Sequence, residues 1–97
     1  QGLLDGMRRF VQWGAGEVGK RWLREWDTQP PEAVVDINPR KIGREIHGVP
    51  VIAPEELPPP ATAVILAAVG APGARTDIRA WLDSRGYSEG SDYWFIA

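Results

Sequence analysis

The chain has 97 residues, 43% apolar and 25% charged, with a net charge of −2, which suits one soluble domain with one modest core. Interspersed charges leave no broad basic face for nucleic acid. The absence of cysteine excludes disulfides and thiolate chemistry, and a single histidine gives no basis for a histidine metal site. No apolar run approaches the ~20 residues that span a bilayer, and Gln1–Phe10 has no signal-peptide pattern, so the expectation is a cytoplasmic protein with no membrane partner. The start at Gln1, together with five tryptophans in so short a chain, predicts a single domain over 1–97 excised from something longer.

In chain order, Phe10-Val11-Gln12-Trp13 reads as a first strand after Arg8 and Arg9. The glycine-rich run Gly14–Gly19 follows, then a helical stretch from Lys20 to Trp26. Val18, Trp22, Leu23 and Trp26 recur on one face of that helix, and Pro30-Pro31 ends it. Ala33–Ile37 is a second strand, and Asn38-Pro39 turns the chain. Two glycines and a proline between Arg40 and Val51 forbid a long crossover helix, so the segment around Ile46–Ile52 reads as irregular and extended. Ala53–Leu57 suits one helical turn, and Pro58-Pro59-Pro60 a stiff connector.

Ala63–Val69 is apolar throughout, as a parallel strand covered on both faces should be. A helix follows with Ala74, Ile78, Trp81 and Leu82 on its buried face, and Gly86-Tyr87 supplies the C-terminal cap. Tyr93–Ile96 is the last strand. The order predicts a small Rossmann-like α/β domain: a parallel sheet of about four to five strands, helices on both faces, the first strand between the second and third.

Gly14, Gly16 and Gly19 fit G-x-G-x-x-G between a strand and a helix, the setting in which backbone N–H groups and the helix dipole face a phosphate. Ala15, Glu17 and Val18 complete the loop, with Glu17 either competing with an anion or complementing the helix dipole. The alternative is a tight turn that binds nothing. Asp36 stands about 20 residues on, where a carboxylate accepts from ribose hydroxyls and repels a 2′-phosphate, favouring NAD over NADP. Asn38 is a further candidate contact beside Asp36, which can equally cap the turn there, and Arg40 offers a partner for a 2′-phosphate. Gly70–Gly73 is a second strand-to-helix loop at the same edge, with Arg75 as its candidate anion contact or simply a solvated arginine. His47 reads as a solvated loop residue, and Asp5, Glu55, Glu56, Asp77 and Asp83 as helix-end or surface charges. No nucleophile–base or paired-carboxylate set emerges, so no catalytic residue is assigned.

Val35-Asp36-Ile37-Asn38-Pro39-Arg40-Lys41-Ile42-Gly43, then Ile46-His47-Gly48-Val49-Pro50-Val51, with the Trp13-Gly14-Ala15-Gly16 start, resembles the Rossmann-like domains of bacterial sugar-processing proteins. Those are the N-terminal domains of sugar acyltransferases, polysaccharide-biosynthesis proteins, and the C-terminal domains of sugar C-methyltransferases. The resemblance implies an accessory domain binding a nucleotide or nucleotide-sugar beside a catalytic domain, with ligand contacts at Gly14, Ala15, Gly16, Asp36 and the Gly70 loop, while Trp22, Trp26, Trp81 and Trp94 suggest a docking face for that neighbour or for a second copy. The chain lacks the acyltransferases' repeat-built half and a dehydrogenase's substrate domain, which implies no catalysis by the isolated domain. An NAD-binding piece of an oxidoreductase and a ligand-free scaffold for protein contact are the competing expectations.

Overall fold

The computed structural model describes residues 9–26 and 28–97; Asp5 and Arg8 lie outside them. The elements in order are β1 (Arg9–Trp13), α1 (Glu17–Glu25), β2 (Val34–Val35), β3 (Glu45–Ile46), β4 (Val49–Ile52), a 3-10 turn (Pro54–Glu56), β5 (Ala63–Ala67), α2 (Ala74–Ser84) and β6 (Tyr93–Phe95). The strands form one sheet in the order β3-β4-β2-β1-β5-β6. All neighbours are parallel except β3 and β4. The first strand lies between the second and third main strands, as the sequence predicts.

Period-two alternation along β1 divides the core. Val11 and Trp13 meet Ile65, Ile78 and Leu82 on the face that α2 covers. Phe10 meets Val64, Leu66 and Trp26 on the opposite face, where Leu23 of α1 packs with Ala15 and Val34. One helix therefore covers each face. β5 is buried along its whole length and pairs with β1 residue for residue, from Arg9 beside Ala63 to Trp13 beside Ala67. Among the described residues, no helix is long and apolar enough to cross a membrane.

The sheet has six strands rather than four or five. The segment read as irregular folds into the β3–β4 hairpin, and β4 also joins β2 in parallel. Its two-residue turn puts both His47 (φ 53°) and Gly48 (φ 79°) in the left-handed region, the pair of conformations that matches the twist of a tight hairpin. His47 is a turn residue, exposed to solvent.

α2 ends as its sequence predicts. Tyr87 N–H donates to the Leu82 carbonyl and Gly86 N–H to the Asp83 carbonyl, the two bonds of a Schellman cap. The Tyr87 hydroxyl then donates to the Pro58 carbonyl, anchoring the proline connector. Asp92 fixes the approach to β6 by accepting from Ala61 N–H and Ser88 N–H.

Tyr93 is fully buried and its hydroxyl donates to Asp83 Oδ1 at 2.7 Å. Burial first, then that hydrogen bond, raises the Tyr93 pKa far above the ordinary tyrosine value. The unfolded chain ionises near pH 10 while the native hydroxyl stays protonated, so stability present below pH 10 is lost as pH rises above it. Tyr93→Phe should cost about 1 kcal/mol at pH 8, since Asp83 is left in water. It should also lose less further stability than the parent between pH 8 and pH 11. Urea unfolding at both pH values measures this; equal alkaline losses would remove the role given to the Tyr93 hydroxyl.

Candidate functional site

The carboxyl ends of β1, β2 and β5 present three loops at one edge of the sheet, where open α/β folds take ligands. The glycine loop is the best determined of them. Gly14 has φ 127°, and a Cβ there would lie 2.2 Å from the Ala68 carbonyl oxygen. A Cβ on Gly19 would lie 2.0 Å from the Gly14 carbonyl oxygen. Both glycines are therefore required by close packing of strand, loop and helix. Gly16 differs: a Cβ would meet nothing within 4 Å, and its extended backbone suits any residue. It is the N-cap of α1, and no side chain caps the helix there. The first-turn N–H groups thus open onto clear space in front of Gly16, backed by the helix dipole.

Beneath the loop lies Gln12, a polar residue in an apolar strand and fully buried. Its Nε2 donates to the carbonyls of Gly14 (3.0 Å) and Gly19 (2.9 Å), and its Oε1 accepts from Trp26 Nε1 at 2.9 Å. One amide ties together the start of the loop, the first turn of α1 and the end of that helix. Trp26 in turn stacks edge-on against Phe10 and packs with Trp22.

Asp36 caps its turn, one of the two roles that the sequence leaves open at its position, and also braces the glycine loop. Its Oδ1 accepts from Asn38 N–H at 2.8 Å, closing the turn, and its Oδ2 accepts from Ala15 N–H at 3.1 Å inside the glycine loop. Lys41 reaches the same residue through its next peptide group, donating from Nζ to the Ala15 carbonyl at 2.9 Å. The loop is held by the acid and the lysine of the segment after β2.

Two adjoining clefts open at this edge. One, of about 460 Å³, is lined by Gly14 to Gly19 and by Gly70 and Ala71 of the second loop. Val18 lies against Gly70 there. The other, of about 430 Å³, runs between α2 and the 3-10 turn. They share Gly14, Asp36, Val69 and Ala74. Glu17 borders the glycine-loop cleft and is exposed.

The structure brings Gly14, Ala15, Gly16, Glu17, Val18, Gly19, Asp36 and Gly70 together around one cleft. Three candidates lie apart from it. The Asn38 side chain is engaged in its own turn, accepting from Arg40 N–H. Gly73 is the left-handed N-cap of α2 and lines neither cleft. Arg75 turns toward β6, donating to the Ala97 backbone oxygen and lying over the Phe95 ring. Its guanidinium is drawn to the aromatic face rather than to the cleft. Sequence reasoning missed Gln12, although a lone polar residue in an apolar strand is a legible signal. It also missed Lys41, whose reach across 26 positions left no local sign.

No family model matches this sequence, and no curated protein matches it. A solved structure, that of RSP in complex with β-NADH, shares the fold with a TM-score of 0.61 over 94% of this chain at 17% identity. The chain spans 46% of that protein's length. The likeness establishes a small Rossmann-like α/β fold.

Gln12→Leu fills the same space without the amide. It leaves the Trp26 indole N–H and the Gly14 carbonyl without their partner, and should cost about 1–3 kcal/mol. Denaturant unfolding with tryptophan fluorescence would register the loss. An unchanged midpoint would mean that water replaces the amide and that Gln12 does not organise the loop.

Proposed function

We propose that this domain binds a nucleotide, with the phosphates in front of Gly16 at the start of α1. The observation that carries the reading is the contrast between the glycines. Gly14 and Gly19 are needed by the fold, whereas Gly16 is needed by nothing inside the protein. A side chain at Gly16 would stand only in the way of something approaching from outside, and the first-turn N–H groups suit an anion.

The residues fit a dinucleotide such as NAD. Gly16 and the first turn of α1 would hold the diphosphate, and Asp36 would meet the ribose. Each Asp36 oxygen accepts one hydrogen bond within the protein and keeps a second lone pair. RSP, which shares the fold, was solved with β-NADH, and this supports the same choice. A nicotinamide dinucleotide would supply hydride transfer, with the reacting partner presented by a domain outside this chain. A nucleotide-sugar bound for a neighbouring sugar-processing domain is the second form of the same reading, supported by the resemblance of residues 35–51. In both, the chain serves as a binding module and the chemistry lies in its neighbour. The openness before Gly16 speaks against a ligand-free scaffold.

Gly16→Asp tests the assignment with little risk to folding. Aspartate is a strong N-cap residue, so stability should be unchanged or raised by up to about 1 kcal/mol. Its carboxylate would occupy the phosphate position, and binding of ADP and of NAD should fall at least about tenfold. Calorimetry on a folded Gly16→Asp variant that binds both as the parent does would overturn the glycine-loop site.

A further inference from the structure

We infer that Lys41 is a positioning residue of the glycine-loop site. Its ammonium holds the Ala15–Gly16 peptide with the Gly16 N–H turned outward, and places a positive charge behind the loop where a phosphate would sit in front. The inference rests on the glycine-loop reading above and adds to it a residue that the glycine motif does not contain.

The geometry of one peptide group is the first argument. Lys41 Nζ donates to the Ala15 carbonyl at 2.9 Å. That carbonyl and the Gly16 N–H belong to the same peptide, and in a planar trans peptide the two point in opposite directions. An ammonium on one side therefore leaves the N–H facing the other. No acceptor among the described residues takes the Gly16 N–H, and Gly16 is exposed. The Ala15 N–H, one peptide earlier, is already taken by Asp36.

The freedom of glycine is the second. Without a Cβ, Gly16 does little to restrain rotation of the peptide that precedes it. Turned over, that peptide would aim its carbonyl at the space before α1 and set partial negative charge against a phosphate. Lys41 would then lose its acceptor, so the charge-assisted hydrogen bond opposes the rotation. Held as it is, the peptide is polarised by the ammonium, which makes its N–H the stronger donor.

Charge is the third. The ionisable residues lining the glycine-loop cleft are Glu17 and Asp36, both acidic and both unfavourable to an anion. Lys41 does not line the cleft; it is half-buried and reaches the loop from the segment after β2. Its own backbone is fixed, with its N–H donating to the Asn38 carbonyl at 2.9 Å and its carbonyl accepting from Arg44 N–H at 3.1 Å. The ammonium is thus delivered to the loop from a firm base and offsets part of the acidic lining.

The test is amide NMR on the parent, Lys41→Met, Lys41→Gln and Gly16→Asp, each free and titrated with ADP. In the parent, ADP should move the Gly16 amide proton downfield as a phosphate accepts from it. Lys41→Met keeps the apolar stem and removes the ammonium. In that variant, free of ligand, the Gly16 amide should shift upfield while those of Gly14 and Gly19 stay near their parent positions. Its ADP affinity should fall about fivefold or more. Lys41→Gln, also uncharged, should show the same loss, and carries the test if Lys41→Met does not fold. ADP bound by the uncharged variants as tightly as by the parent, or a Gly16 amide that they leave unmoved, would overturn the inference. So would shifts of equal size at Gly14 and Gly19, which would make Lys41 a brace of the whole loop and nothing more. If Lys41 fails in any of these ways while Gly16→Asp still abolishes ADP binding, the phosphate site stands without it. If ADP leaves the Gly16 amide of the parent unmoved, both readings fall together.

Discussion

Gln12 lies on the central strand with Phe10, Val11 and Trp13 as neighbours, all buried, and its carboxamide is the polar group at which strand, loop and helix meet. A buried amide is tolerated only when its hydrogen-bonding capacity is used, and here both ends of the group are engaged. The two carbonyls it holds belong to Gly14 and Gly19, the positions at which backbone comes too close for any side chain. Geometry at the glycine loop is thus set from below by a core residue, and the upper surface stays clear.

The same loop is fixed from the side. Ala15 is gripped at its N–H by Asp36 and at its carbonyl by Lys41, both carried by the segment after β2. β5 approaches from the other flank, with Ala68 N–H donating to the Trp13 carbonyl just before the loop. Two chain segments distant in sequence thus converge on Trp13 and Ala15, on either side of Gly14. Were a ligand to bind at a surface held this way, little of the binding free energy would be consumed in ordering it.

Much of this architecture was readable from local pattern. The strand-glycine-helix start, the apolar run of β5, the helical spacing in α2 and the cap at Gly86-Tyr87 each declare themselves within about a dozen residues. The hairpin did not, because β3 and β4 are short and gain their place by pairing, β4 with β2 and β3 with β4. The site divides in the same way. The glycines and Asp36 follow from spacing along the chain. Lys41 at the loop and Asp77 and Trp81 at the cleft depend on which elements become neighbours in the sheet. Arg75 was placed by its loop, but the nearby Phe95 ring, contributed by β6, competes for the guanidinium.

The sheet's two edges differ in how they meet the outside. β3 offers only two residues, one of them the exposed Glu45. β6 pairs with β5 alone, and the rings and amides of Tyr93–Phe95 would form a natural template for another strand. Arg75 and Arg79 both lay their guanidinium groups over Phe95, at 5.4 and 4.9 Å, and Arg79 is itself paired with Glu89. An incoming strand would have to displace or desolvate this fixed charge. Arg75, which turns away from the glycine-loop cleft, thereby sets a barrier to edge-to-edge self-assembly, a property of the protein as a crowded solute.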